Sequence, residues 1–590
     1  MNIVDWTQIY DRKVLIDRTQ IIIDRILDGI HQKKYKIFID NKFSKYEISL
    51  VFRWPIYISV NTFVERYFRS IFSEKKNLNI VKKSNSKYQY FLNSNLVTEN
   101  YYNNISLNQK LINDINRVLF EKDFNYIEKK DFNNYDINKN KFLFSFFRKK
   151  TVTFNIRLKS FIDRKYKNFY SSILQKIKLP TVFYQGDKQF SKIYSLLNRF
   201  PEMNYKSYQI NKYLRNDIKK ISEKIFIEEM SEYFSNFDNN KINQLSILFG
   251  IWVDRSIPLS IIEGISDKLD FYKQLVDKNT IKEVHSSIGY YANDNFKIFA
   301  LLAKRKKAIL IAQDDGISNF CSLYPNNNLP NQYKLLNEIM FVDYYCSWGI
   351  KNNDIFDNVE NNLKTKIINT GSVYLKNIKK KYSNKLNNKK IKILILSGPL
   401  RLFMSTLEEI TPEYNFDHKR NVLKFIKRII KEYPNFEFFY KPFPGIDDKY
   451  DPIHQLLKNE IDNRVVRITN MNAINLMKKV DVAIFDTIST GFAEAIRIGV
   501  PSLVFLNQYE YNIASNIGKK MNDEMHKKGL LFFDENTGLK SFKYLFNNLK
   551  DFQKESDSIL KEFQEIIAYP VDSVKFHKTI NNFLLINELK

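Results

Sequence analysis

The chain has 590 residues and a formal net charge of +28, from 93 basic and 65 acidic residues. Its 44% of hydrophobic and 27% of charged residues are typical of a globular protein and exclude a disordered or fibrous chain. The length suffices for two or three domains, each with its own core. The positive charge leaves nucleic acid, an anionic membrane surface and anionic substrates open as partners. No zinc-finger spacing, aromatic RNA-binding motif or basic zipper favours nucleic acid.

The two cysteines, Cys321 and Cys346, allow at most one disulfide, as expected in a reducing cytoplasm. The first residues, MNIVDWTQIYDRK, carry charges and lack an apolar run, so we expect no signal peptide. No stretch of about 18 uncharged apolar residues predicts a membrane-spanning helix. The sequence therefore predicts a cytoplasmic protein, and a peripheral contact of its basic surface with the inner face of the membrane stays open.

The first 280 residues offer few signals. Tyr35–Ile39 is predicted as an early strand, and residues 100–250 are predicted to be mostly helical and aromatic, with no recognisable motif. An α/β pattern follows. Its predicted elements are a strand at Lys282–Ser286, a helix at Asn293–Lys304, and strands at Ala308–Ala312 and Phe341–Cys346. Asn369–Ser372 is the predicted exit from this part, and the basic, Asn-rich segment 376–390 is the predicted linker.

The last third alternates short apolar strands with helices, which is typical of a parallel sheet covered on both faces. The predicted strands are Lys392–Leu396, Phe436–Tyr440, Arg464–Thr469, Val482–Phe485 and Ser502–Leu506. The predicted helices are one carrying Val422, Phe425, Ile426, Ile429 and Ile430 on one face, one at Asn472–Lys479, and one at Thr490–Ile498 closed by Gly499. Residues 550–590 are predicted to be helical.

Three loops follow strands of this sheet, and ligands of such sheets bind at the carboxyl ends of strands. The loops are Ser397-Gly398, Lys441-Pro442, and Asp486-Thr487-Ile488-Ser489-Thr490-Gly491. The last leads into a helix, whose first N–H groups and dipole favour an anion such as a phosphate. Glu494, about one turn on, is positioned to accept hydrogen bonds from ribose hydroxyls. The alternative is plain N-capping by Ser489 or Thr490 without a ligand.

A further candidate site follows the earlier strand at Ala308–Ala312. Asp314 and Asp315 are adjacent carboxylates, and their repulsion favours a pKa suited to a general base. The alternative is an ordinary Asp-Gly turn before Gly316. His285, on the Lys282–Ser286 strand, is a second candidate for a catalytic role. The six histidines and two cysteines show no metal-ligand spacing, so we expect no metal.

The segments KILILSGP, FFYKPFPG and VDVAIFDTISTGFAEAIRIGVPSLVFL together resemble the donor-binding half of GT-B glycosyltransferases. They are most similar to the transferases of bacterial O-antigen and capsule gene clusters, relatives of the CDP-glycerol glycerophosphotransferases. HSSIGYYANDNFKIFALLAKRKKAILIAQDDG matches the same layout, so the resemblance covers about residues 280–510. It extends more weakly to Arg53-Trp54-Pro55.

Two departures distinguish this chain from that pattern. Where those relatives have Gln-His-Gly, this chain has Gln313-Asp314-Asp315-Gly316, which resembles the acidic motif of bacterial GT-B sialyltransferases, where an aspartate is the general base. Lys441-Pro442 stands where those enzymes carry His-Pro, and Ser489-Thr490 resembles their hydroxyl pair. The resemblance implies a CMP donor, and the missing histidine weakens that implication.

The resemblance implies two Rossmann-like domains facing a cleft, with a helical insertion in the N-terminal half. Residues 1–375 would form the acceptor domain, with the insertion at about 100–250. Residues 376–390 would form the linker, 391–550 the nucleotide-sugar domain, and 551–590 helices packing back on the first domain. The implied activity is metal-independent transfer of a sugar to a surface glycan precursor.

In this reading Asp315 or Asp314 is the base, and Lys441, Ser489, Thr490 and Gly491 bind the leaving nucleotide phosphate. The alternatives are a CDP-polyol phosphotransferase of the teichoic-acid type, a catalytically silent scaffold of a glycan assembly complex, and, more remotely, a nucleic-acid-binding protein.

Overall fold

A computed structural model describes most of the chain and places it in two compact units. The described residues are 9–33, 35–75, 88, 90–120, 181–185, 198–204, 208–317, 332–351, 364–379, 390–398, 403–404, 406–407, 410–443, 465–467, 471–514 and 516–588. Of these, the first unit holds residues 11–311 and 406–407, and the second holds 9–10, 312–404 and 410–588.

The first sheet has six strands in the order β2-β1-β3-β4-β5-β6. The strands are β1 (Thr181–Gln185), β2 (Asn198–Arg199), β3 (Ile281–Ser286), β4 (Ile309–Gln313), β5 (Tyr344–Ser347) and β6 (Lys366–Asn369). The pairs β1–β2, β1–β3 and β5–β6 are parallel. The strands predicted at Lys282–Ser286 and Ala308–Ala312 are therefore confirmed, with bounds shifted by one residue.

Strands β5 and β6 of this sheet belong to the second unit, and the described part of the first unit is otherwise mainly helical. Its helices are α1 (Ile9–Gln32), α2 (Lys36–Asp40), α3 (Lys45–Lys75), α4 (Ser94–Asn103), α5 (Ile105–Phe120), α6 (Lys212–Met230), α7 (Asn239–Ser256), α8 (Leu259–Ile262), α9 (Ile265–Lys278), α10 (Gly289–Ala292) and α11 (Asp294–Arg305). Asn293 is the N-cap residue of α11, and its side chain accepts hydrogen bonds from the Asn295 and Phe296 amides. Arg53-Trp54-Pro55 lies inside α3, where Arg53 donates to Asp24 at 2.7 Å.

Two predictions for the N-terminal half are wrong in part. The expected strand at Tyr35–Ile39 is the helix α2, because Phe38 is buried among the rings of Tyr35, Phe43 and Phe52 and needs no strand partner. The prediction of mostly helix over residues 100–250 holds for α5, α6 and α7 but misses β1 and β2, which belong to the first sheet. Residues 121–180 of that region lie outside the described residues.

The second sheet has the strand order β12-β11-β10-β7-β8-β9, and every adjacent pair is parallel. The strands are β7 (Lys392–Leu396), β8 (Glu437–Lys441), β9 (Val465–Arg467), β10 (Val482–Phe485), β11 (Ser502–Phe505) and β12 (Leu531–Phe532). The chain order starts at the middle strand β7, runs outwards to β9, and then returns to β10 on the other side. This doubly wound order places a topological switch point between β7 and β10, where ligands of such sheets bind.

The second unit contains ten described helices. They are α12 (Gln332–Asn337), α13 (Val373–Lys376), α14 (Pro412–Glu432), α15 (Ala473–Met477), α16 (Thr490–Ile498), α17 (Gln508–Ile513), α18 (Asn516–Lys527), α19 (Glu535–Asn547), α20 (Leu549–Ile567) and α21 (Ser573–Glu588). Val422, Phe425 and Ile426 of α14 are buried against the sheet, as the helical spacing of its apolar residues predicts. The α/β fold class, with two parallel Rossmann-like sheets, is confirmed.

The predicted strand at Phe341–Cys346 begins late, at Tyr344. Ile339–Phe341 forms a 3₁₀ turn instead, in which the Phe341 amide donates to the Glu338 carbonyl and the Val342 amide to the Ile339 carbonyl. The Thr365 hydroxyl donates to the carbonyls of Ile339 at 2.7 Å and Val342 at 2.9 Å and stabilises this turn. Most of the predicted linker, residues 380–389, lies outside the described residues.

The C-terminal helices are tied by backbone hydrogen bonds to the loops that follow β5 and β6. The Tyr569 amide donates to the Trp348 carbonyl at 2.8 Å, and the Ser372 amide donates to the Tyr569 carbonyl at 2.6 Å. The Ile350 amide donates to the Glu565 carbonyl at 2.8 Å. All these residues belong to the second unit.

We predict that Gly499→Ala lowers the free energy of unfolding by about 1 kcal/mol. Gly499 ends α16 with a φ of 82°, and a Cβ there would meet no atom within 4 Å. The loss is therefore backbone strain alone. Gly499→Asn is the matched control, since Asn tolerates this left-handed conformation, and it should lose less. Urea unfolding of the three proteins measures both, and equal losses for Ala and Asn would contradict the explanation.

Candidate functional site

Three strand ends of the second sheet lie side by side at the switch point. The register pairs Leu396 of β7 with Lys441 of β8 on one side and with Phe485 of β10 on the other. The loops that the sequence analysis selected therefore begin at the same edge of the sheet. The Ser397 amide, in addition, donates to the Lys441 carbonyl at 3.2 Å.

A buried ion pair joins these loops to the helix that covers them. Asp486, directly after β10, pairs with Lys419 of α14, and their side chains are 1% and 3% exposed. The same ammonium group donates to Ser397 Oγ at 2.9 Å and to the Gly398 carbonyl at 3.0 Å. Asp486 also accepts from Ser397 Oγ at 2.7 Å and from the Gly398 amide at 2.6 Å.

This arrangement fixes the ionisation of Asp486. Burial on its own would raise the pKa of the carboxyl, but the Lys419 ammonium and the hydrogen bonds outweigh burial and hold the pKa below its ordinary value. Asp486 is therefore a stable carboxylate. Asp486, Ser397 and Gly398, which we predict as donor-binding residues, have their polar groups engaged with one another and fix the shape of the loop.

Two residues of this cluster were missed by the sequence analysis, Lys419 and its neighbour His418. His418 Nε2 donates to the Asp486 carbonyl at 2.8 Å, and burial lowers the pKa of its imidazole, so the ring is neutral. A signal for both was present, because Lys419 precedes Val422 by three residues and Ile426 by seven. A charged residue on the apolar stripe of an amphipathic helix requires a buried partner.

The beginning of α16 presents polar groups that the helix itself does not use. Ser489 occupies the N-cap position, yet its side chain caps no amide, so the alternative of plain N-capping by Ser489 is wrong. The Phe492 and Ala493 amides both donate to the Ser489 carbonyl. The Thr490 and Gly491 amides stand in the first turn, where no intrahelical acceptor exists. This helix start has the donors that bind a phosphate group.

The loop after β4 lies against this helix start. A Cβ on Gly316 would come within 2.6 Å of Thr490 Oγ1, so glycine at position 316 lets this loop approach the Thr490 side chain closely. Both residues belong to the second unit. The Asp-Asp-Gly motif and the Ser-Thr-Gly motif, which are about 175 residues apart in the sequence, are therefore in direct contact.

The two aspartates of that loop have different surroundings. Asp314 is 3% exposed, and its carboxylate accepts from the Tyr345 hydroxyl at 2.5 Å and from the Trp348 amide at 2.9 Å. Asp315 is exposed. Of the two, Asp315 is the one that can reach a substrate. His285 is fully buried in β3 and bonded to Glu283 at 2.9 Å, which is the environment of a structural histidine.

A chain of contacts connects Asp314 with Glu494. The Trp348 ring stacks on Tyr374, with centroids 6.0 Å apart and an interplanar angle of 22°. The Tyr374 hydroxyl donates to Glu494 of α16. Glu494 is buried, and its contact with a ribose stays a prediction.

Thr487 and Lys441 complete the set of predicted donor residues. The Thr487 hydroxyl donates to the carboxylate of Glu510 on α17, at 3.1 and 2.9 Å from its two oxygens. Burial raises the pKa of Glu510 to about 7. Lys441 is the last residue of β8 and is half-buried, and Pro442 after it is buried. The following residues, 444–450, lie outside the described part of the chain.

The described residues contain no helix with the length and apolarity to span a bilayer. Within the same residues no group of three or more His, Cys, Asp or Glu side chains is arranged to hold a metal ion. The expectation that no metal takes part stays a prediction.

The fold and the site together describe an α/β protein with polar loops and a helix start at the switch point of a doubly wound sheet. A family model described as LIC12162 family transferase matches residues 31–537. The chain therefore belongs to the LIC12162 family of transferases. No curated protein is significantly similar to it.

Several solved structures resemble parts of the fold at low sequence identity. UDP-GlcNAc 2-epimerase from Neisseria meningitidis bound to UDP-GlcNAc is 14% identical, covers 55% of this chain and 81% of its own, and has a TM-score of 0.34. MnaA of S. aureus with UDP is 13% identical, with 55% and 80% covered and a TM-score of 0.33. S. aureus TarM with Fondaparinux, alpha-GlcNAc-glycerol and UDP is 11% identical, with 54% and 58% covered and a TM-score of 0.35. At these scores nothing about substrate follows for this chain.

We predict that Lys419→Met destabilises the protein by about 3–5 kcal/mol, because it leaves Asp486 buried without its cation. Methionine keeps the length and apolar character of the lysine stem. The double variant Lys419→Met/Asp486→Asn should recover part of the loss, since it removes the uncompensated charge. Lys424→Met, an exposed lysine of the same helix, is the matched control and should change little. Chemical denaturation of the wild type and the three variants measures these changes. An unchanged free energy of unfolding for Lys419→Met would contradict this account.

Proposed function

We propose that this transferase is a GT-B glycosyltransferase that moves a sugar from a nucleotide-sugar donor to a hydroxyl of a glycan acceptor. The contact between Gly316 and Thr490 carries the proposal. It brings an exposed carboxylate, Asp315, to the start of a helix whose hydroxyl and amide groups suit a phosphate. Glycosyl transfer needs these two functions together, a base for the acceptor hydroxyl and donors for the leaving phosphate.

Each proposed role follows from the surroundings of the residue. Asp315 takes the proton of the acceptor hydroxyl. The Ser489 and Thr490 hydroxyls, the Thr490 and Gly491 amides and the Lys441 ammonium stabilise the charge that develops on the leaving diphosphate or monophosphate. Glu494, about one turn into this helix, accepts a hydrogen bond from the ribose. Lys419 and Asp486 touch no substrate and hold the loop in position.

We further propose that the reaction needs no metal, because cationic and amide donors at the strand ends supply the charge stabilisation. The surface-glycan acceptor, the membrane contact and a CMP donor follow only from the resemblance of the sequence motifs, and they belong to this proposal. A CDP-polyol phosphotransferase would use the same phosphate groups, so the donor itself has to be measured.

We predict that one nucleotide among CMP, CDP, UDP, GDP and dTDP raises the melting temperature of the protein. At a ligand concentration of 100 times Kd the stabilisation should be about 2.7 kcal/mol. Ser489→Ala combined with Lys441→Ala should abolish the shift, because it removes a hydroxyl and a cation from the proposed phosphate site. Lys540→Ala, an exposed lysine on α19, is the control and should keep the shift. No shift with any nucleotide would favour the silent scaffold over an enzyme.

We predict that Asp315→Asn and Asp314→Asn fail in different ways. Asp315→Asn should lower turnover by roughly 10²–10⁴-fold, the contribution of a general base, with an unchanged melting temperature. Asp314→Asn should mainly lower stability, by about 1–3 kcal/mol, because an amide replaces one of two buried acceptor oxygens. Turnover on the donor found in the nucleotide screen and thermal unfolding separate the two effects. Full turnover of Asp315→Asn would exclude it as the base.

A further inference from the structure

Glu510 is a half-buried residue next to the proposed phosphate site, and none of the roles above uses its carboxyl group. It lies on α17, directly after β11, where Asn507 caps the helix by accepting from the Tyr509 amide at 2.8 Å. Both of its oxygens face the Thr487 hydroxyl. Thr487 precedes Ser489 by two residues, and its methyl group would lie 2.7 Å from a Cβ on Gly398. Glu510 is therefore in contact with the loop that carries the phosphate donors.

The charges around Glu510 do not neutralise it. Asp486 faces it from the end of β10 and repels its ionised form, and Lys419 of α14 attracts it more weakly than Asp486 repels it. The Lys419 ammonium already donates to Asp486, Ser397 and Gly398. His418, next to Lys419, is neutral because burial lowers its pKa. Asp523 of α18 accepts a hydrogen bond from the Tyr511 hydroxyl at 2.7 Å. Among the described residues no cation forms an ion pair with Glu510.

The carboxyl groups of Asp486 and Glu510 therefore both lie next to the proposed phosphate site. Of the two, only Asp486 forms an ion pair among the described residues, with Lys419. We propose that Glu510 takes up a proton from solvent when the phosphate groups of the nucleotide bind, so that donor binding is coupled to pH. The proposal rests on the proposed function, because it needs a nucleotide at this site. Protonated Glu510 also has an O–H to donate, so it changes from a repelling group into a hydrogen-bond donor near the phosphates.

The direction of the effect follows from linkage. Burial raises the pKa of Glu510 to about 7, so the free protein carries this carboxyl as a mixture of both forms near neutral pH. A bound anion favours the protonated form further, so the complex binds more protons than the free protein at and above this pH. Affinity should be nearly independent of this group at pH below about 6. Above about 7 it should fall, approaching tenfold in Kd for each pH unit while one proton is taken up.

The test is isothermal titration of the full chain with the nucleotide that gives the thermal shift, at several pH values from about 6 to 8.5. At each pH, two buffers of different ionisation enthalpy report the number of protons taken up. Glu510→Gln is the decisive variant, because it is a neutral isostere that keeps an acceptor for the Thr487 hydroxyl. The same titrations on this variant contain the nucleotide's own phosphate ionisation, so the difference between the two proteins isolates Glu510.

We expect the wild-type protein to take up close to one proton more than Glu510→Gln at pH about 8 and to lose affinity as pH rises. Glu510→Gln should bind at pH about 8 at least as tightly as the wild type does at pH about 6. Equal proton uptake by both proteins, with binding retained, would overturn this inference and leave the proposed function standing. An absence of nucleotide binding in both proteins at every pH would instead refute the proposed function on which the inference rests.

Discussion

The buried pair of Lys419 and Asp486 is the interaction on which the loops at the switch point of the second sheet depend. A carboxylate and an ammonium that are both nearly inaccessible are stable only if each finds its full set of partners, because removing them from water is expensive. The partners are the Ser397 hydroxyl and the Gly398 backbone, which form the loop after the middle strand of the sheet. The pair thus fixes the loops after β7 and β10 and the helix α14 to one another at the switch point. The adjoining loop that leads into α16 starts from Asp486 itself.

The polar residues of the site divide into a buried set and an accessible set. Stability predictions apply to the buried residues, and predictions about binding or turnover apply to the accessible ones. Asp314, Asp486, Ser397 and Glu494 are buried and have protein partners. Asp315, Ser489, Thr490 and Lys441 stand at least partly accessible around them. Asp315 directly follows the buried Asp314, and Lys441 is the last residue of β8. A variant of a buried residue is therefore expected to change stability first, and a variant of an accessible residue to change the proposed function first.

Most of the second sheet could be predicted from the sequence, because β-branched runs and helical spacing are local signals. Val482–Phe485 and Thr490–Ile498 were predicted with the bounds that the structure shows. The strands β1 and β2 could not, since a run of five residues such as Thr181–Gln185 is recognised as a strand only through its neighbour β3. The strand prediction for Tyr35–Ile39 was also wrong because a non-local factor decides the conformation, here the packing of aromatic rings and not strand pairing.

The motifs of the site were predictable one by one, and their contacts were not. A sequence shows that Gly316 follows two aspartates, but only the fold shows that the Thr490 hydroxyl lies 2.6 Å from where a Cβ at position 316 would be. Lys419 and Glu510 belong to helices whose polar residues are mostly on solvated faces, so their roles become visible only when burial is known. The split between Asp314 and Asp315 is likewise a matter of which carboxylate the Tyr345 hydroxyl and Trp348 amide reach.

The hydrogen bonds from the C-terminal helices have a consequence for any shortened form of the chain. Tyr569 and Glu565 supply backbone partners to Trp348, Ile350 and Ser372, and Trp348 in turn supplies the amide that orients Asp314. A protein cut before Leu549, by a protease or by a premature stop codon, loses these partners although every residue of the site itself is still present. The Trp348 amide, which orients Asp314, would remain, but without the Tyr569 hydrogen bond that holds the Trp348 carbonyl. The last forty residues therefore act as an internal brace for a loop more than two hundred residues upstream, and a truncated product would keep its motifs while losing their alignment.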